Sequence, residues 1–287
     1  MKIGIIGDAD RAVAWEKNLR PHPSVSEVII ARNLEGIGTV DACILIDDSP
    51  NKLDMLLESI KQGFHSFLVS RLPRDLFKAE KIYHASEESN VVVQYSHWPT
   101  LSPASQWMFQ KIQKPRFIQV VRELSHTDYL ERDTSISNYW LDELAFCMTW
   151  VNGATHHVDV NQTALKSKES GAIHLFLRFN SGTTAGIFVN TVANKNNHKR
   201  TVSDHSFILY ADVIEHTVQT GEKNKSGHFF RQKKMFDATK SAEIAALQFL
   251  KAVQMRKSLP VWCLRSLSNV KGGRKNQQET DGLVVLI

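Results

Sequence analysis

The first residues able to do chemistry are Gly7-Asp8-Ala9-Asp10-Arg11-Ala12, directly after the apolar run Lys2 to Ile6. A short buried strand, a glycine where the backbone bends and a helix just beyond it form the arrangement in which a G-x-G-x-x-G turn presents bare N–H groups to a pyrophosphate. Here only the first glycine is present. Ala9 and Ala12 hold the other two positions, and Asp8 and Asp10 bring carboxylates to where phosphates would lie. Like charges repel at close range, so Gly7, Asp8, Ala9 and Arg11 are cofactor candidates only if Arg11 or a metal offsets the two aspartates. His97 is a second kind of candidate, an acid or base following the strand signal Val91 to Tyr95, at the carboxyl edge where such sheets bind ligands. His156-His157 reads as a strand-leading or loop pair, and His65 as structural.

Composition removes several classes. Of 287 residues, 42% are apolar and 23% charged, close to globular averages. No run of 18 uncharged apolar residues is present, and Met1-Lys2 leads into a strand rather than a signal-peptide core, so the expected address is the cytoplasm, without a membrane. Cys43, Cys147 and Cys263 are far apart and lack C-x-x-C spacing, which predicts reduced core residues, and no metal-ligand set stands out. The net charge of +5 is modest. Its excess is local: Lys223, Lys225, Arg231, Lys233 and Lys234 surround His228-Phe-Phe230, and Lys271, Arg274 and Lys275 form a second group. Such runs are usually solvated loops or hairpins, so nucleic acid is not the expected partner.

The elements that must position these residues alternate between strand and helix through the first hundred positions, which predicts a parallel sheet with crossover helices. A helix follows the turn from about Asp10 to Leu19, and Glu27 to Arg32 and Asp41 to Ile46 read as the next strands. Only about eight residues separate those strands, too few for the helix and strand that a full mononucleotide-binding half places there. This part of the chain therefore reads as shortened. A helical stripe of Leu53, Leu56, Leu57 and Ile60, a strand from Phe64 to Val69, a helix from Pro73-Asp75 to about Glu88, the Val91 strand and a helix through Trp107 and Ile112 follow. The boundary is placed near residue 116, giving domains 1–116 and 117–287.

The second half alternates over long strands: Phe117 to Glu123, His174 to Phe179, Thr184 to Thr191 and Phe207 to Ile214, with Asn180-Ser-Gly182 as a hairpin turn. Two helices are assigned to it, near Leu141 to Val151 and from about Ala242 to Met255, the latter with Ile244, Leu247, Leu250 and Val253 on one side. The expected fold class is α/β, a shortened Rossmann-type parallel domain followed by an α+β domain with a large, mostly antiparallel open sheet.

In order and spacing, Asp41-Ala-Cys-Ile-Leu-Ile46, Gly63-Phe-His65 leading to Pro73, the Pro103 segment, Trp150-Val-Asn-Gly153, Phe179-Asn-Ser-Gly182 and Leu247-Gln-Phe-Leu-Lys-Ala252 with Pro260 resemble the Gfo/Idh/MocA oxidoreductase family. The resemblance covers nearly the whole chain. It implies an oxidoreductase using NAD or NADP on a sugar-like or polyol substrate, and an oligomer formed through the C-terminal sheet. The family's E-K-P motif would place its glutamate at Arg71 and its lysine at Leu72, or in another placement at Ser70; arginine is a poor base, although Arg71 suits an anion, leucine has no polar group, and a serine hydroxyl is no better as an acid or base at neutral pH. Its D-x-G-x-H-x-x-D helix, counted back from Trp150, falls on Tyr139, Glu143 and Phe146. Glu143, sharing a side with Cys147 and Trp150, is the remaining acid or base candidate on that helix. Two settings are open to it: a raised pKa among aromatics, or a surface ion pair. The resemblance also implies an acidic residue for the ribose after the second strand, where this chain has Arg32, which suits a 2′-phosphate or simply faces solvent.

The sequence thus reads as a degenerate relative, with the architecture kept and the hydride-transfer groups largely replaced. It would bind a ligand or partner in the interdomain cleft and use either no cofactor or NAD(P). The alternative is an active NAD(P)-dependent enzyme relying on Glu143 or His97.

Overall fold

Five parallel strands make the first sheet because their sequences are apolar on both faces: β1 (Lys2–Ile6), β2 (Glu27–Ala31), β3 (Ala42–Ile46), β4 (His65–Val69) and β5 (Val93–Tyr95), in the order β2-β1-β3-β4-β5. Such a sheet must be covered on both sides. Alternate residues supply the two cores. Ile3, Ile5, Ile44 and Phe67 pack with Trp15 and Leu19 of α1 (Ala9–Leu19), whereas Ile6, Cys43, Leu45 and Leu68 pack with Leu53, Leu56 and Ile60 of α2 (Lys52–Lys61) and Ile82 of α3 (Leu76–Glu88). The computed structural model describes residues 1–73, 75–131, 135–151, 153–165, 171–223 and 229–255. Asn152, the Lys225 to His228 stretch, Pro260, Cys263 and the Lys271 to Lys275 group lie outside the described residues.

The short connection between β2 and β3 holds a 3-10 turn, Glu35–Ile37. Ile37 takes the place of a longer insertion by packing onto Gly4, where an added Cβ would meet it at 2.8 Å. Consequently β2 is an edge of this sheet.

Contacts divide the described chain into two units, Met1–Leu101 together with the chain from Thr239, and the chain from Ser102 to Ala238. The division falls after Leu101 rather than near residue 116. The reason lies in α5 (Pro103–Lys111), preceded by the short α4 (Trp98–Leu101): Met108 of α5 and the following Ile112 belong to the core of the second unit. The last described helix, α8 (Ser241–Met255), returns to the first unit, correcting its assignment to the second. Its buried face is Ala245, Ala246, Phe249, Leu250, Ala252 and Val253, so the stripe expected at Ile244 and Leu247 is rotated. Small alanines let the helix lie close to its neighbours, which counting only large side chains overlooks.

The second unit is built on a sheet ordered β13-β12-β11-β10-β6-β9-β8-β7. Its strands are β6 (Phe117–Ser125), β7 (Thr155–Ala164), β8 (Gly171–Phe179), β9 (Thr184–Ala193), β10 (Asn197–Ser203), β11 (Phe207–Asp212), β12 (Thr217–Lys223) and β13 (Phe229–Met235). Neighbours pair antiparallel except β6 with β9. This is the expected fold class. One face packs against α7 (Ile136–Val151), which follows the short α6 (His126–Glu131), through inward residues such as Ile173, Leu175 and Leu177. The other is open and carries Phe117, Phe176, Ile208 and Tyr210. Strands β7, β10, β12 and β13 escaped the sequence reading because their residues are mostly polar or charged.

Candidate functional site

Every N-terminal candidate lies at the carboxyl ends of the first sheet's strands. Gly7 ends β1 at φ +151°, and a Cβ there would meet Ile46 O at 2.7 Å, so only glycine fits. Asp8 caps α1: its Oδ1 accepts from the backbone N–H of Asp10 at 3.1 Å and of Arg11 at 3.2 Å. These are the donors a helix amino end offers to an anion. The carboxylate points back onto the turn. Ala9 and Asp10 are exposed, and Arg11 reaches Asp48 at 3.3 Å, so its charge is directed to a carboxylate other than Asp8.

From Asp48 a polar chain continues along the edge. Ser70, just past β4, donates its hydroxyl to Asp48 Oδ1 at 2.9 Å and accepts from Lys52 Nζ at 2.7 Å; Lys52 also reaches Arg71 O at 3.3 Å. Ser96, past β5, accepts from Ser70 N and donates to Ser70 O, locking the two strand ends together. Arg71 is exposed, as is Arg32 beyond the edge strand β2. His97 is half-buried, with Nδ1 3.2 Å from the Thr100 hydroxyl, which in turn donates to His97 O at 2.9 Å. The fold therefore gathers Gly7, Asp8, Arg11 and the Arg71 backbone with Asp48, Lys52 and Ser70. Sequence reasoning missed Asp48 and Lys52, whose signal was the Asp47-Asp48 pair directly after the buried strand β3, and met Ser70 only as an alternative position for the E-K-P lysine.

Glu143 stands in the second unit, on α7, fully buried. Arg200 of β10 grips it in a fork, Nε to Oε2 at 2.8 Å and Nη2 to Oε1 at 2.9 Å, and Arg122 of β6 adds a contact at 3.3 Å. Arg200 also lies 4.1 Å from the centre of the Phe146 ring. Burial alone raises this carboxyl, but the charge of Arg200 and its forked hydrogen bonds override it and hold the carboxyl well below its ordinary value. Neither expected setting is found: the pKa is lowered, and the ion pair is buried. His198 Nε2 lies 3.0 Å from Glu143 Oε1 but out of line for a hydrogen bond. Burial pushes that imidazole down to about 4 against the pull of Glu143. Burial also pushes the Cys147 thiol up, and the Cys43 thiol to about 11, so both behave as inert core residues. The partners of Glu143 were missed because Asn197-His-Lys-Arg200 has no apolar residue to mark a strand; its signal was the alternation that turns Arg200 and Val202 inward together.

Among the described residues, no three His, Cys, Asp or Glu side chains come together as metal ligands. A pyrophosphate does not fit the amino end of α1 as it stands, because the Asp8 carboxylate already takes two of its N–H groups.

No family model and no curated protein matches the sequence. Solved structures match its fold. The UDP-N-acetylglucosamine 3-dehydrogenase GnnA from Acidithiobacillus ferrooxidans superposes with a TM-score of 0.74 over 90% of each chain at 13% identity. A dehydrogenase from Chromobacterium violaceum gives 0.71 over 90% of this chain and 89% of its own at 14% identity. Levoglucosan dehydrogenase, in complex with NADH, gives 0.70 over 91% and 92% at 10%. The fold is that of Gfo/Idh/MocA-type dehydrogenases. Within that Gfo/Idh/MocA-type fold, both sheets of this chain are accounted for, while identities this low carry the architecture and not the activity.

Proposed function

We propose that this chain is a Gfo/Idh/MocA-like protein whose dinucleotide turn is retired and which binds a ligand or partner without hydride transfer. The observation that carries the reading is the Asp8 carboxylate seated on the N–H groups of Asp10 and Arg11, an internal anion where a cofactor phosphate would be held. Support also comes from Leu72 at the lysine position of the E-K-P motif, and from Glu143, whose buried fork with Arg200 leaves it a poor proton acceptor. Calorimetry with NAD(H) and NADP(H) tests this directly. The expected result is no saturable binding in the micromolar range for the native chain, and a gain in affinity for Asp8→Gly, which frees the helix amino end. Micromolar binding by the native chain overturns the reading.

The second reading, an active NAD(P)-dependent oxidoreductase on a sugar-like or polyol substrate, is favoured by His97, half-buried at the carboxyl end of β5. It requires turnover with such substrates that His97→Ala abolishes.

A further inference from the structure

The basic stretch near the end of the second unit is split by its own secondary structure. On β13, Arg231 and Lys233 point to the open face of the sheet, while Lys234 points to the packed face, 5.3 Å from the centre of the Trp107 ring and 5.2 Å from that of Phe236. On the open face, cross-strand registers align Thr201, Tyr210, Gln219 and Lys233 in one row, with Ile208, Gly221 and Arg231 beside it. Gly221 has no side chain, so the surface dips there. The result is a cavity of about 570 Å³, within the range of small-molecule sites.

Its charges are uneven. At one end Asp212 is bound by Lys199 across the β10–β11 pair, so that carboxylate is already matched. At the other end Arg231 and Lys233 are exposed, and among the described residues neither forms an ion pair with a carboxylate. Between the ends lie the half-exposed Tyr210 ring and the hydrogen-bonding groups of Thr201 and Gln219.

We propose that this cavity binds a small phosphate monoester with a polar ring body, the phosphate held by Arg231 and Lys233 and the ring lying against Tyr210. Two cations spaced two residues apart on one strand suit a compact dianion, which accepts charge-assisted hydrogen bonds from both. An aromatic face with flanking hydroxyl and amide groups suits a sugar or base attached to it. The site is independent of the dinucleotide turn.

Calorimetry with glucose 6-phosphate, AMP, glucose and inorganic phosphate tests the assignment. At least one monoester is expected to bind at submillimolar concentration, more tightly than inorganic phosphate, while glucose does not bind. Arg231→Ala and Lys233→Ala should each weaken the monoester by about tenfold or more. Tyr210→Ala should weaken the monoester and leave inorganic phosphate unchanged, and Lys234→Ala, on the opposite face, should have no effect. These substituted residues are at the surface, and an unchanged melting temperature confirms that the fold is kept. Absence of monoester binding overturns the proposal, as does binding indifferent to Arg231 and Lys233. Tighter binding of a single-stranded oligonucleotide, strengthening with its length, overturns it in favour of a polymer site.

Discussion

At the scale of single residues, the Glu143 cluster is a buried set of fixed charges. A carboxylate gripped by a bidentate arginine in a dry core stays ionised, and the neighbouring imidazole is kept neutral because charging it there costs solvation. Both effects run in one direction with pH. His198 titrates near 4 when folded against an ordinary 6.5, so between those values the unfolded chain binds more protons and stability falls as pH falls. The loss is on the order of 3 kcal/mol, at about 1.4 kcal/mol per unit. Glu143 adds to it only below its own ordinary value of 4.5. Chemical denaturation from pH 7 to pH 4 should therefore show a falling midpoint, and His198→Gln should flatten the slope between 6.5 and 4. An unchanged slope in that variant would assign the acid sensitivity elsewhere.

At the scale of elements, α8 shows how a helix can be recognised while its packing partner is misassigned. Phe249 is fully buried and stacks 5.5 Å from Phe67, which meets Trp15 edge-on at 5.3 Å, so one aromatic column joins α8, β4 and α1. Leu247, the more obvious hydrophobe, is 43% exposed. Phe249→Ala should destabilise by about 3–5 kcal/mol as it opens a cavity in the first unit. Leu247→Ala should change stability by less than about 0.5 kcal/mol. Thermal melts of the two variants distinguish this face from the stripe Ile244, Leu247, Leu250 and Val253; comparable losses would restore that stripe.

At the scale of the whole molecule, the open face of the second sheet divides between two chemistries. Phe117 and Phe176, 39% and 36% exposed, lie on β6 and β8, whereas the cationic cavity lies on β10 to β13. The oligomer that the family resemblance implies would use the apolar part. Light scattering should then give a dimer or larger species, and Phe176→Asp should shift it toward the monomer; a native monomer at high concentration removes the expectation. The sequence by itself determined the first sheet, the fold class of the second and the first turn, because a continuous apolar run, a glycine bend and alternating strands are local patterns with local causes. It also made the missing glycines and Leu72 visible, since a motif position is read by counting. Only the tertiary structure decided that Asp8 turns its carboxylate onto α1, that Glu143 is buried under Arg200, and that α8 crosses back to the first sheet. Each of these depends on a partner supplied by backbone geometry or by a distant strand, and alternation along one strand cannot reveal which residue of another will face it.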